Sequence, residues 1–67
     1  MTDTEIVMLA LRYQRDDARR SINVMQRLEL RYAADPARLS EIATAINAER
    51  KILEATSEAI ARRGGRQ

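Results

Sequence analysis

Ala34-Asp35-Pro36-Ala37-Arg38 is the stretch that decides the fold, because it interrupts two long segments that otherwise read as helix from end to end. Asp35 can cap a helix through its carboxylate. Pro36 suits the first helical position, where its missing N–H is no loss and its fixed φ is already right. Pro36 also pushes Asp35 away from helical dihedrals, so a preceding helix must end at or before it. The expected architecture is all-α: an antiparallel two-helix hairpin folded at Asp35.

Upstream of the break, no Gly or Pro falls between Met1 and Asp35, and Ala, Leu, Met, Arg, Gln and Glu dominate. Local propensity therefore supports one helix of about 30 residues, roughly 45 Å long. Thr2 with Glu5 three residues on makes a capping box, and Asp3 and Glu5 favour the positive end of the helix dipole. The first helix is expected over about 3–33, the turn over 34–36 and the second helix over about 36–63. Gly64-Gly65 supplies a left-handed cap, with residues 64–67 as a frayed tail.

The second helix carries the cleaner repeat. Leu39, Ile46, Leu53 and Ile60 recur at heptad spacing, with Ile42, Glu49 and Thr56 between them. The first helix offers Leu11, Ala18, Met25 and Tyr32, with Val7, Gln14, Ser21 and Leu28 between and Met8 and Ile22 widening the stripe. Folding at Asp35 pairs Tyr32 with Leu39, Met25 with Ile46, Ala18 with Leu53 and Leu11 with Ile60. Ser21 then meets Glu49, and Gln14 meets Thr56. Polar groups in the middle of a seam ordinarily set register or oligomeric state at some cost in stability. A sharper reading has Glu49 facing a partner chain and pairing with an Arg there.

One seam cannot bury all the apolar side chains. Ile6, Leu9 and Tyr13 form a second stripe, and Val24, Leu30 and Ile52 also lie outside the first seam, so these six are the candidate protein interface. The expectation is a homodimer, most simply a four-helix bundle of two hairpins, or a hetero-complex with another helical protein.

Composition narrows the chemistry. The 67 residues fit a single domain near the size where one core is marginal, and the chain has no cysteine and no histidine. That removes disulfides, thiol chemistry and nearly every transition-metal site. Asp16 and Asp17 are neighbours that point about 100° apart on a helix, so they do not share a proton or a metal. Arg12, Arg19 and Arg20 stand at helical spacing as their surface partners. Glu54 and Glu58 form the one i, i+4 carboxylate pair that resembles half of a di-metal site, with no second pair to complete it. No catalytic, cofactor or metal signature emerges, and the chain reads as a binding module and not as an enzyme.

The formal charge is +2, from 12 Lys+Arg against 10 Asp+Glu. Composition alone does not argue for nucleic acid; a clustered face is needed. Arg12, Arg19, Arg20, Asn23 and Arg27 fall on one side of the first helix with Tyr13 among them, a pattern that can lay guanidinium groups on phosphates and offer a ring for stacking. This nucleic-acid face ranks below the protein interface, since long Arg side chains also keep the outside of a bundle soluble. The longest apolar run, Ile6 to Leu11, is far short of the roughly 20 residues that cross a bilayer. Acidic Asp3 and Glu5 precede it where a secretory leader carries positive charge, so the expected location is cytoplasmic, with no membrane partner.

Two resemblances follow from these residues. With Met1-Thr2 and Glu5 at the start, the Arg12-Tyr13 step and the reversal at Asp35, residues 1–65 resemble the Rop-type plasmid regulators. Those are antiparallel homodimeric four-helix bundles that hold paired RNA loops on their first helices. That resemblance implies an RNA face of Tyr13, Arg12, Arg20 and Arg27. The run Glu49-Arg50-Lys51-Ile52-Leu53-Glu54-Ala55 is similar to the second helix of the small co-chaperones of type III secretion needles, hairpins that keep the needle subunit from polymerising. That resemblance implies a helical protein client. Those co-chaperones tend to carry Gly where this chain has Asp35-Pro36.

Overall fold

The computed structural model describes residues 1–64. Two antiparallel helices, α1 (Asp3–Arg31) and α2 (Pro36–Gly64), pack along their length as a hairpin measuring 49 × 17 × 16 Å. The capping box at the start of α1 is present in both directions: the Thr2 N–H donates to Glu5 Oε1 at 2.8 Å, and the Glu5 N–H donates to Thr2 Oγ1 at 3.1 Å. Two of the orphan donors of the first turn are thereby satisfied.

Helix α1 stops two residues earlier than the expected boundary. Tyr32 is its C-cap, with φ −105° and ψ 28°, and the reversal occupies residues 32–34. The Asp35 N–H donates to the Tyr32 carbonyl at 2.9 Å, which draws the turn back from Pro36 toward Tyr32. Asp35 then acts as the cap of α2, its Oδ1 accepting from the Arg38 N–H at 3.2 Å. The Arg38 guanidinium sits 5.0 Å from the centre of the Tyr32 ring, so a cation–π contact clasps the two helix ends across the turn. Helix α2 includes Gly64; Gly65, the other half of the expected cap, and Arg66 and Gln67 lie outside the described residues.

The core is a strip one side chain wide. Ala18, Ile22, Ile42, Ile46 and Thr56 are its buried members, with Met25, Leu28, Tyr32 and Leu53 packed against the isoleucines. On α2 the buried and half-buried positions follow the heptad series from Leu39 to Ile60 as the spacing predicts. On α1 the expected series Leu11, Ala18, Met25 and Tyr32 is buried or half-buried as well, but the helix is rotated toward the side that Met8 and Ile22 widen. Met8, Arg15, Ile22 and Glu29 turn inward, while Val7 and Gln14 stay exposed; Ser21 and Leu28 remain half-buried. The rotation brings Ile22, the bulkiest apolar residue near the middle of α1, to the centre of the strip. It leaves Arg15 and Glu29 to lay their stems along the edge.

Thr56 is thus the one buried polar side chain among the described residues. Its expected partner Gln14 points away, and its hydroxyl donates back along its own helix to the Ile52 carbonyl at 2.8 Å and the Leu53 carbonyl at 3.1 Å. A hydroxyl satisfied in this way costs little to bury. No large side chain among the described residues is completely buried. Two helices alone leave every layer open on both flanks, and those two flanks differ.

Candidate functional site: the two flanks of the hairpin

On one flank, here the front, two shallow grooves run end to end between the helices, of about 700 Å³ and about 670 Å³. The first lies toward the open end of the hairpin, with Ile6, Val7, Ala10 and Tyr13 of α1 facing Ile52 of α2. The second continues toward the turn, with Arg20, Ser21 and Val24 of α1 facing Ala45 and Ala48 of α2. Asp17 and Glu49 line both and mark the point where they join. Most of this lining is apolar or small.

The α1 contribution has a regular spacing: Ile6, Ala10, Tyr13, Asp17, Arg20 and Val24 alternate steps of four and three residues. That is a second heptad seam on the same helix, turned away from the core. Helix α2 supplies its own, with Ala45, Ala48, Ile52, Ala55 and Ala59 at the same alternation. Small residues at such positions allow a further helix to approach closely. Asp17 takes the Arg20 guanidinium at 3.0 Å, both side chains well exposed, a pair worth a few tenths of a kcal/mol by itself.

The back flank is different. Its groove holds about 350 Å³ and is lined by Arg19, Asn23, Gln26 and Arg50, with Ile22 and Leu53 at its floor. Arg19 and Arg50 have no carboxylate within 4.0 Å among the described residues; the ion pairs there are Arg15–Asp16 at 3.3 Å, Arg20–Asp17, Arg38–Glu41 at 3.6 Å and Arg62–Glu58 at 3.3 Å. Asp16 therefore takes its sequence neighbour Arg15, and neither Arg12 nor Arg19. Glu58 of the candidate metal pair holds Arg62. Among the described residues no three acidic, His or Cys side chains come together.

All six residues of the candidate protein interface are exposed in the hairpin, from Leu30 at 82% and Tyr13 at 64% to Ile52 at 36%. Ile6, Tyr13, Val24 and Ile52 converge on the front grooves. Leu9 and Leu30 line neither; six residues on from Val24, Leu30 falls on the other flank of α1. The residues missed from the sequence are Ala10, Ala45 and Ala48. They escape a search for large apolar side chains, and the three-and-four spacing of Ala10 with Ile6 and Tyr13, and of Ala45 and Ala48 with Ile52, was the signal that would have found them. The candidate nucleic-acid face is divided as well. Tyr13 and Arg20 belong to the front, Arg19 and Asn23 to the back, and Arg12 and Arg27, both exposed, line neither groove.

Fold and flanks together define a two-helix antiparallel hairpin with one apolar grooved face. No protein-family model matches the chain, and comparison with curated proteins and with solved structures likewise finds no match. Among the described residues no helix is long and apolar enough to cross a membrane.

Proposed function

We propose that the protein is a non-enzymatic helical-hairpin docking module whose front flank is covered by further helices, as in a four-helix bundle or in the capping of an amphipathic client helix. The observation that carries the reading is the front surface from Ile6 to Val24, where two adjoining grooves expose apolar side chains at heptad spacing on either side of the charged junction at Asp17, Arg20 and Glu49. Amphipathic helices seat themselves in such grooves through anchors three and four residues apart. Surplus apolar surface of this length is the unusual feature of the molecule, since single exposed apolar residues need no explanation. The role is adaptor-like or co-chaperone-like, with hydrophobic burial as the driving force.

The test places a photoreactive amino acid at Ile52 on the front or at Asn23 on the back, and irradiates the protein in an extract of cells that express it. Discrete adducts are expected from Ile52 and are lost when Val24→Glu is added, with none from Asn23. Equal labelling from both positions, or none from Ile52, overturns the reading.

A second reading rests on the back flank and outer face, where Arg12, Arg19, Arg27 and Arg50 have no carboxylate within 4.0 Å among the described residues. Such cations suit a phosphate backbone, as in a Rop-like RNA-binding regulator. Binding of this kind falls steeply with salt and with Arg19→Glu. A complex that is insensitive to both removes it.

A further inference from the structure

The α1 seam on the front flank is complementary to itself between Tyr13 and Val24. Laid antiparallel on a second copy of α1, with an axis between Asp17 and Arg20, it sets Asp17 against Arg20 of the other copy, and Arg20 against Asp17. The same register sets Tyr13 against Val24 and Val24 against Tyr13. On α2 an axis within about one residue of the same height sets Ile52 against Ala55 and Ala48 against Ala59, a large residue against a small one and then two small ones. Resting on the docking reading above, we infer that the front flank is covered by a second copy of this chain, with α1 antiparallel to its counterpart and α2 antiparallel to its own.

Charge separates this arrangement from the other two-fold packing of two hairpins, in which α1 lies on α2 of the second copy. There Asp17 and Arg20 fall opposite Ala55 and Ile52; Arg20 comes beside Glu49 of the second copy, whereas Asp17 is desolvated and gains no cation. In the antiparallel arrangement each Asp17 carboxylate keeps its own Arg20 at 3.0 Å and gains the Arg20 of the other copy. The two Asp17 and two Arg20 then balance one another at the axis, with Glu49 of each copy beside them on α2. Size agrees too: the hairpin is 49 Å long and 16–17 Å across, so one flank offers roughly 800 Å² of projected face, what each partner contributes to a stable interface.

The experiment uses the full chain. Asp17→Arg and Arg20→Asp each bring four like charges to the axis, so each variant alone is expected to dimerise about 100-fold more weakly than the parent. Mixed together, the two variants are expected to restore a dimer containing one chain of each. The chain has no cysteine of its own. A Tyr13→Cys, Val24→Cys double variant should therefore oxidise to a covalent dimer, since opposed seam residues bring Cα atoms within the ~4.4–6.8 Å span of a disulfide. Dimers that neither cross-link nor show the mixing rescue overturn this arrangement while leaving the docking module intact. A chain that is monomeric at all concentrations yet still gives Ile52 adducts overturns the second copy as occupant and leaves the wider reading standing. The absence of both adducts and dimers removes both.

Discussion

The two flanks of the hairpin are built from the same two helices and flank the same strip of isoleucines, yet they are opposite surfaces. The front carries Ile6, Val7, Tyr13, Val24 and Ile52 with alanines facing them; the back, with one groove about half the volume of either front groove, carries Arg19, Asn23, Gln26 and Arg50. A helix in a two-helix hairpin needs one apolar stripe to hold its neighbour. A second stripe about a third of a turn away lies outside that contact, and in the proposed docking reading it is where a further helix sits.

Removing what the two flanks share should have the largest effect. Ile46 is 4% exposed at the centre of the strip. Ile46→Ala is expected to cost about 2–4 kcal/mol and to take most of the helicity with it, seen as loss of far-ultraviolet circular dichroism at 25 °C. Retention of full helicity would mean that the strip is not what joins the helices.

The flanks are separated by paired substitutions one residue apart. Val24→Glu puts a carboxylate into the front groove and is expected to weaken association by about 100-fold, whereas Asn23→Glu on the back should change it less than about 3-fold. Analytical ultracentrifugation of both variants reads the difference, and equal effects would erase the distinction between the faces.

A smaller effect is expected at the turn, beyond the ends of the named grooves. Asp35→Ala removes the acceptor for the Arg38 N–H and should cost about 1 kcal/mol, lowering the melting temperature by several degrees without altering the stoichiometry of the assembly. A change in stoichiometry would show that the cap, and not the flank, governs association.

The smallest effect lies at the far end of α1. Hydrogen bonds from the Thr2 backbone and then its side chain hold the Glu5 carboxyl below its ordinary pKa. A depressed carboxylate contributes stability above its unfolded value and loses it as the pH falls through the lowered folded value. The protection of the first-turn amides against exchange, relative to the intrinsic rate at each pH, should therefore fall in acid below the ordinary glutamate range. Glu5→Gln should flatten that dependence, and an unchanged acid profile in this variant would assign the fraying to another group.

Much of this arrangement was legible in the residues. Asp35-Pro36 marks the reversal because one side chain caps and the other forbids helix before it, and both effects are local. The α2 seam from Leu39 to Ile60 was legible because its large apolar residues recur without competition. The α1 seam was harder, since Val7, Met8, Leu11, Gln14 and Arg15 offer two adjacent stripes and only packing against α2 decides between them. Ile22 decided it, at the cost of bringing Arg15 and Glu29 to the edge. The early end of α1 depends on the Asp35 N–H reaching Tyr32 and on the Arg38–Tyr32 contact, which join residues across the turn and leave no periodic trace. On the front flank the large residues announced themselves, whereas Ala10, Ala45 and Ala48 count for their smallness, which hydrophobicity does not register.

In the proposed assembly the hairpin is half of its own core. The most direct test is the mass of the purified chain by light scattering across a hundredfold dilution, with thermal unfolding followed at each concentration. The expected result is a discrete dimer whose melting temperature falls on dilution as the front flanks separate. A fully helical monomer with a melting temperature independent of concentration would contradict it.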